Sequence, residues 1–217
     1  MRIVLLGAPG AGKGTQCKRI VEKYGLLHLS SGDILRQGRA AGTELGRKAR
    51  KYMDSGELVP DEIIVEMMTG VIKKTPQAGF VLDGFPRTVN QAERLDKSLA
   101  CNGQRIDAVL NLKVDDQIVA ERMTGRRSCP KCGAVYHIEN LRPKVEGICD
   151  NDGTRLIQRP DDSLEVVMNR LETYHRQTEP VADYYRRNNT VYDIDANKDV
   201  DEVSTLLFKN LDTLAKA

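Results

Sequence analysis

The chain has 217 residues, of which 40% are hydrophobic and 29% are charged, and its formal net charge is +2. This composition is that of a globular protein with a sizeable core, whereas a dedicated DNA-binding protein usually has a strongly basic face. No apolar stretch approaches the roughly 20 residues that cross a bilayer and the N-terminus has no signal-peptide pattern, so we expect a cytoplasmic protein that binds neither membrane nor nucleic acid.

The first predicted strand, Arg2–Leu6, is followed by a glycine-rich segment, Gly7–Thr15, and then by a helix. Glycine permits the tight turn in which successive backbone N–H groups point at one anion. The N-terminal end of the helix adds a partial positive charge, and Lys13 supplies an ammonium group that reaches the outer phosphates. The spacing from Gly7 to Gly12 and Lys13 matches the phosphate-binding loop, or P-loop, and predicts binding of a nucleoside triphosphate.

The P-loop departs from the strict pattern at one position. The usual motif has serine or threonine directly after the lysine, but here Gly14 follows Lys13 and Thr15 comes one residue later. Direct ligation of magnesium by that hydroxyl is therefore in doubt.

Strand-like apolar runs alternate with longer helical patterns along most of the chain. This alternation is typical of a parallel sheet covered by helices on both faces, so we expect an α/β fold. Pro180 predicts a kink or a break in the last long helical region. Further predicted strands are Phe80–Leu82, Ala108–Leu112 and Val191–Ile194, and predicted core helices are Gly14–Tyr24, Asp61–Lys73, Thr88–Ala100, Asp115–Thr124 and Ser163–Arg176.

Two segments interrupt the alternation. Residues 30–59 carry two short predicted helices, Ser31–Ala41 and Glu44–Asp54, and we expect them to form a small helical domain. Residues 127–163 are poor in helical periodicity and contain several glycines and prolines, as in a turn-rich module. The expected core then consists of residues 1–29, 60–126 and 164–217.

The turn-rich module contains four candidate metal ligands in two pairs. Ligands three residues apart on a tight turn point the same way, and three thiolates with one carboxylate suit tetrahedral Zn²⁺ without leaving a position for chemistry. We therefore predict a structural zinc site, with Asp150 and His137 as alternatives for the carboxylate ligand. The four predicted ligands are Cys129, Cys132, Cys149 and Asp152.

Charged residues follow a predicted strand and bracket the turn-rich module. Asp83 comes directly after the strand Phe80–Leu82, at the edge where parallel sheets bind ligands, and a carboxylate there can organise magnesium. A single arginine is more often a solvated surface charge, but a cluster of them suits phosphoryl transfer, which needs charge compensation. The arginines concerned are Arg122, Arg126, Arg127, Arg159 and Arg170.

Together these segments resemble the adenylate kinases of the long-lid type, in which the lid binds zinc. The resemblance implies reversible transfer of a phosphoryl group from Mg²⁺-bound ATP to AMP, giving two ADP. It also implies that residues 30–59 are the AMP-binding domain and that residues 127–163 are the lid. The matching segments run from residue 1 to about 200: Gly7–Thr15, Ser31–Arg36, Leu58–Glu62, Asp83–Thr88 with Gln91, Gly125–Arg127, and Arg159–Asp162 with Arg170.

The resemblance further implies a role for each matching residue. The transferring phosphoryl group would be stabilised by Lys13, Arg126, Arg159 and Arg170, with Asp83 ordering magnesium-bound water. ATP would contact Gly10, Ala11, Gly12, Lys13, Gly14, Thr15, Arg122, Arg126 and the backbone near Lys198. AMP would contact Ser31, Arg36, Val59, Gly84, Arg87, Gln91, Arg159 and Arg170. We expect a monomer, since no obviously apolar helix face is left over.

Three other functions share part of this pattern. A kinase for UMP or CMP has the same loop but usually a short lid, and GTP could replace ATP as donor. A GTPase would need the guanine motif Asn-Lys-x-Asp, but Asn197-Lys198-Asp199 is followed by Val200. A nucleic-acid-binding zinc ribbon would need a more basic and aromatic module than residues 126–160 provide.

Overall fold

A computed structural model describes residues 1–74, 79–187 and 191–215. The strands are β1 (Arg2–Gly7), β2 (Leu27–Ser30), β3 (Phe80–Asp83), β4 (Ala108–Lys113), β5 (Arg126–Ser128), β6 (Val135–His137) and β7 (Val191–Asp195). The helices are α1 (Lys13–Tyr24), α2 (Ser31–Ala40), α3 (Glu44–Ser55), α4 (Asp61–Lys73), α5 (Val89–Ala100), α6 (Asp116–Thr124), α7 (Leu164–Thr173), α8 (Pro180–Arg186) and α9 (Val200–Leu214). No helix in these ranges is both long and apolar enough to cross a membrane.

Five strands form one parallel sheet in the order β2-β3-β1-β4-β7, which confirms the predicted α/β fold. In the register of the sheet, Leu5 of β1 lies opposite Asp83 of β3 on one side and Leu110 of β4 on the other. Because β1 is central, the P-loop that follows it leaves the sheet at the middle of its carboxyl edge. That edge is where open α/β sheets bind ligands.

The alternating residues of β1 point into two different cores. Ile3 and Leu5 pack against α1 and α9, whereas Val4 and Leu6 pack in the cluster that contains α4, α5 and α8. Both faces of the strand are therefore buried, which is why β1 is an unbroken apolar run rather than an alternating one. The two cores fix the position of the P-loop from above and below the sheet.

Helices α2 and α3 form the helical insertion and cross closely at two glycines. The side-chain oxygens of Ser30 and Thr43 cap the two helices by accepting from the N–H groups of Asp33 and Gly46, at 3.2 and 3.1 Å. A Cβ atom on Gly46 would overlap the backbone of Gly38. The helix pair thus depends on glycine at the crossing.

The turn-rich module folds around its own small cluster. Strands β5 and β6 pair antiparallel, and bridges join Ser128 to Ile157 and Ile148 to Arg155. Its buried cluster consists of Cys129, Ala134, Tyr136, Cys149 and Leu156. A core of this size is too small to hold a module together by burial alone.

The structure adds two core elements that the sequence analysis did not predict. Strand β2 is short and polar and pairs with β3 only, and Leu27 at its start is 36% exposed, so it lacks the apolar run of a central strand. Helix α9 buries Val203, Leu207 and Leu211 against α1 and the sheet. The apolar residues of α9 have helical spacing. The helix was not predicted because it follows β7, a strand of mixed polarity.

The predicted break near Pro180 takes a different form. A π-helical turn at Tyr174–Thr178 follows α7, and Pro180 begins α8. A wider turn of this kind gives the chain room before a proline that has no N–H to donate. Within that turn Thr178 Oγ1 donates to the backbone oxygen of Arg87 at 2.9 Å.

Candidate active site

The P-loop wraps around the ammonium group of Lys13. Gly10 and Gly12 adopt positive φ values of 77° and 87°, a conformation that glycine reaches without strain. The Nζ atom of Lys13 donates to the backbone oxygens of Gly7 and Ala8, both at 2.7 Å. Because Gly12 has no side chain with which to cap α1, the first N–H groups of this helix remain available to an anion.

Asp83 lies beside the P-loop at the carboxyl end of β3. A Cβ on Gly14 would lie 3.7 Å from Asp83 Oδ2, and the same oxygen is 3.4 Å from His28 Nε2. Cys17 is close enough to form a possible metal cluster with these two residues. Burial raises the pKa of the Cys17 thiol well above its ordinary value.

Two of the predicted catalytic arginines are held by neighbouring carboxylates. Arg126 forms a two-pronged ion pair with Asp162, whose side chain is fully buried. Arg170 Nη1 donates to Asp161 Oδ2 at 2.6 Å. Each carboxylate occupies only part of a guanidinium group that has five donors, so both arginines keep N–H groups for a further anion.

The third arginine, Arg159, joins the same group of charges. Its Nε donates to Ser128 Oγ at 2.8 Å. Burial, with the nearby Arg126 and Arg36, lowers the pKa of Arg159 to about 10. Burial likewise lowers the pKa of Arg170 to about 10, with Asp161 opposing the shift. Both groups remain charged at pH 7, so like charges are held together in a buried place, an arrangement that binds a polyanion well.

Nearby charged side chains also change the pKa of Lys13. Burial lowers the pKa of its ammonium group from 10.5 to about 8, Asp83 acts in the opposite direction, and Arg87 and Arg170 lower it further. The P-loop lysine therefore lies within electrostatic reach of both arginines. The chain also connects the two regions, because Asp83 beside the P-loop directly precedes Gly84, which lines the same pocket as these arginines.

That pocket lies between the helical insertion and the sheet, and we refer to it as the acceptor pocket. Ser31 Oγ donates to the backbone oxygen of Gly84 at 2.7 Å, and Arg87 Nε donates to the same oxygen at 2.8 Å. Gly84 has a φ of 73°, and a Cβ there would press against both side chains. The lining brings together Ser31, Arg36, Val59, Gly84, Arg87, Gln91 and Arg170 of the predicted AMP set, together with Asp161.

Arg122 lies on the other side of the P-loop, on α6. Its Nη1 donates to the backbone oxygen of Ala196 at 2.8 Å, and its Nη2 lies 3.3 Å from the backbone oxygen of Lys198. Burial lowers the pKa of Arg122. The structure thus brings together the two residues predicted to flank the base of the donor nucleotide.

The four predicted metal ligands also come together. Cys129 Sγ lies 3.4 Å from Asp152 Oδ2, and Cys132 Sγ lies 3.5 Å from Cys149 Sγ. All four ligand atoms lie within 4.8 Å of one another. Zn–S bonds of about 2.3 Å give tetrahedral S–S edges of about 3.8 Å, so the set has the size of a zinc site.

Two equivalent turns present these ligands. The N–H of Gly133 donates to the oxygen of Cys129 at 3.1 Å, and the N–H of Gly153 donates to the oxygen of Cys149 at 2.9 Å. The alternatives for the fourth ligand are engaged elsewhere. Asp150 Oδ1 accepts from the N–H of Lys144, and His137 Nδ1 accepts from the N–H groups of Glu139 and Asn140.

Three carboxylates that contact predicted site residues had no role predicted from the sequence. Asp161 and Asp162 were included only as part of the matching segment Arg159–Asp162, and Asp61 only as part of the segment Leu58–Glu62. In the structure Asp61 accepts from Gln91 Nε2 at 2.7 Å. For Asp161 and Asp162 a sequence signal was available. The arginines of Gly125–Arg127 begin the turn-rich module and Arg159–Asp162 ends it, and buried guanidinium groups need carboxylate partners.

Comparison with known proteins gives consistent results. The adenylate kinase family model matches residues 5–190. The chain is 50% identical to an adenylate kinase of Lachnospira eligens over 212 residues, which cover 97% of this chain and all of the relative. It is 47% identical to one of Clostridium tetani, with 100% and 99% covered, and 50% identical to one of Archaeoglobus fulgidus, with 94% of each covered. The chain therefore belongs to the adenylate kinase family.

Proposed function

We propose that this protein transfers the γ-phosphoryl group of Mg²⁺-bound ATP reversibly to AMP. An oxygen of the AMP phosphate attacks the γ-phosphorus, and the bond from that phosphorus to the β-phosphate oxygen breaks. Two ADP molecules result. The observation that carries this proposal is that Asp83 lies beside the P-loop and that Gly84 and Arg87, which follow it in the chain, line the acceptor pocket.

The donor would lie on the P-loop, with its phosphates against the start of α1 and Lys13. Arg122 and the backbone at Lys198 would flank its base. Gly10, Ala11, Gly12, Gly14 and Thr15 would supply backbone N–H groups. Phosphoryl transfer requires positioning and charge compensation more than covalent chemistry, and this part of the site offers both.

The acceptor would lie in the acceptor pocket, with Arg36 and Arg87 on its phosphate. Ser31, the backbone of Val59, Gly84 and Gln91 would contact its nucleoside. Arg126, Arg159 and Arg170 would neutralise the charge that spreads over the transferring group. Asp161 and Asp162 would keep Arg170 and Arg126 oriented before any nucleotide binds.

Two metals fit the side chains described. Magnesium neutralises charge on the β- and γ-phosphate oxygens, and Asp83 would hold its waters beside the P-loop, with Thr15 as the nearest hydroxyl of the motif. Zinc suits the set Cys129, Cys132, Cys149 and Asp152, where it would stabilise a module with a very small core.

We also propose the domain roles. Residues 30–59 would be the AMP-binding domain, 127–163 the lid and the rest the core. Arg159 and Ser128 lie at the two ends of the lid, so closure would bring cationic groups over the phosphates and exclude water together. A monomer and a cytoplasmic location stay predictions.

The test is a substrate panel with the purified protein. ATP and GTP are each combined with AMP, UMP, CMP and GMP, and nucleotide products are separated by chromatography. We expect ATP with AMP to give by far the highest kcat/KM. Preferred use of UMP or CMP would reassign the acceptor, and preferred use of GTP would reassign the donor.

A further inference from the structure

A buried amide in the acceptor pocket has both of its polar atoms engaged. Gln91 is 1% exposed. Its Nε2 donates to Asp61 Oδ1 at 2.7 Å, and its Oε1 accepts from the backbone N–H of Arg87 at 2.7 Å. A carboxylate only accepts and a backbone N–H only donates. The two partners therefore determine which end of the amide carries the oxygen.

Asp61 is itself fixed by further donors. Its Oδ2 accepts from Thr88 Oγ1 at 2.9 Å and from Asn90 Nδ2 at 2.7 Å. Asp61 is the first residue of α4, and Thr88 caps the start of α5 by accepting from the N–H of Gln91 at 3.1 Å. The carboxylate thus sits between two helix starts, where backbone dipoles also favour a negative charge.

We propose that Asp61 is a positioning residue that fixes the polarity of the Gln91 amide and so selects acceptor nucleotides with an adenine edge over those with a hypoxanthine or guanine edge. The proposal rests on the proposed function, since it concerns the base of the acceptor. After its two bonds to protein, the amide keeps one N–H and one oxygen lone pair for a ligand.

The bases differ in the order of donor and acceptor. Adenine presents an amino donor beside the N1 acceptor, whereas hypoxanthine presents a carbonyl acceptor beside an N1–H donor. In one and the same pose, Gln91 complements adenine but meets hypoxanthine with acceptor against acceptor and donor against donor. A site gains specificity from such mismatched pairs.

An amide that could flip freely by 180° would accept either base and so remove this discrimination. In this structure a flip would place Oε1 of Gln91 against the Asp61 carboxylate and Nε2 against the N–H of Arg87. Both contacts are repulsive, and two buried hydrogen bonds are lost with them. Asp61 therefore makes the orientation that suits adenine the only satisfied one.

The experiment compares AMP with inosine monophosphate, which differ at this edge of the base. In the intact chain and in Asp61→Asn, kcat/KM is measured for both acceptors at saturating ATP. The asparagine side chain has the same shape as that of Asp61 but can donate as well as accept hydrogen bonds. It therefore no longer forces the Gln91 amide into one orientation. We expect the ratio of AMP to inosine monophosphate to fall at least tenfold, mainly through a higher KM for AMP, with the KM for ATP unchanged.

The control is Asn90→Ala, which removes another bond to the same carboxylate but leaves the contact with Gln91. Asn90 is exposed, and we expect its variant to keep the ratio of the intact chain. If Asp61→Asn folds poorly by thermal melting, Asp61→Ser replaces it, because a hydroxyl also donates or accepts.

Each outcome decides the matter. A fall of tenfold or more that Asn90→Ala does not reproduce supports the proposal. A smaller fall, or an equal fall in Asn90→Ala, overturns it and makes Asp61 a structural link between α4 and α5. Failure of the proposed function is a different result, since the intact chain would then not phosphorylate AMP at all.

Discussion

At the residue scale, the site depends on how burial changes the ionisation of Lys13. Its ammonium donates to two backbone oxygens of the P-loop, yet burial brings its pKa to about 8. Phosphate groups beside it would restore the proton, because a nearby opposite charge favours the ionised form. Nucleotide binding and protonation of Lys13 are therefore coupled.

The first prediction follows from this coupling. Between pH 7 and pH 9 the free lysine loses its proton, so ATP affinity should fall by about tenfold through this group. Calorimetry at pH 9 in buffers of different ionisation enthalpy should show uptake of up to one proton for each ATP bound, and almost none at pH 7.

Lys13→Met provides the control for that measurement. The variant should show no such uptake at pH 9, and its kcat should be roughly 100- to 1,000-fold lower, the usual cost of losing one charge-stabilising donor. Equal proton uptake in the variant would assign the titration to another group, and a nearly normal kcat would remove Lys13 from catalysis.

A second prediction concerns Arg87 in the acceptor pocket. Loss of a buried charged hydrogen-bonding group costs about 1.5–3 kcal/mol, so Arg87→Ala should raise the KM for AMP by roughly 10- to 100-fold. The KM for ATP should change by less than about threefold. The exposed Arg105 between α5 and β4 is a suitable control, since Arg105→Ala should alter neither constant. Equal effects of Arg87→Ala on both substrates would remove Arg87 from the acceptor site.

At the element scale, the helical insertion depends on the glycine crossing of α2 and α3. Gly46→Ala would press a methyl group into the backbone of Gly38, and backbone cannot move aside as a flexible side chain can. The variant should melt at a lower temperature, and the shifted helices should raise the KM for AMP more than the KM for ATP.

The matched control is Gly70→Ala in α4, where an added Cβ meets no atom within 4 Å. Alanine in a helix interior is better than glycine by about 1 kcal/mol, so this variant should be neutral or slightly stabilised. An unchanged melting temperature for Gly46→Ala would show that α2 and α3 separate easily.

The turn-rich module gives the fourth prediction. With the proposed zinc site, the stability of the module should depend on metal binding, because its apolar cluster is small. Cys129→Ser should reduce bound zinc from about one per chain to almost none and lower the melting temperature by roughly 5–10 °C. Cys101→Ser, at an exposed position after α5, should change neither quantity. Full zinc content in Cys129→Ser would mean that the metal is held elsewhere.

The elements differ in how well the sequence predicted them. The sequence predicted the bounds of α4 and grouped the four candidate metal ligands that the structure brings together, because helix starts and paired cysteines are local signals. Strand β2 was missed because Leu27–Ser30 gains its structure from pairing with β3 alone. The π-helical turn before Pro180 depends on packing around α7, which no local pattern records.

At the scale of the whole molecule, the sequence predicted the parallel sheet, whereas the domain division and the roles of the site residues stay predictions. The contacts of three carboxylates were not predicted, because only the fold brings Asp61, Asp161 and Asp162 to their partners. For Asp161 and Asp162, the motif Arg-Pro-Asp-Asp was the available local signal. Phosphate binding could be predicted from the sequence because the spacing of glycines and lysine in the P-loop is a local pattern. The orientation of each arginine and of Gln91 is set by tertiary contacts.

Both the P-loop and the acceptor pocket carry cationic side chains, Lys13 in the first and Arg87 and Arg170 in the second. Such a site should pass the γ-phosphoryl group to a bound acceptor and not to water. The closure proposed for the two insertions would couple transfer to the presence of both substrates.

The most direct test follows ATP by phosphorus NMR with magnesium and the purified protein, with and without AMP. We predict that ATP alone stays intact, and that with AMP two ADP molecules appear for each AMP consumed, without free phosphate. Consumption of ATP at the same rate without AMP, with release of phosphate, would contradict the account.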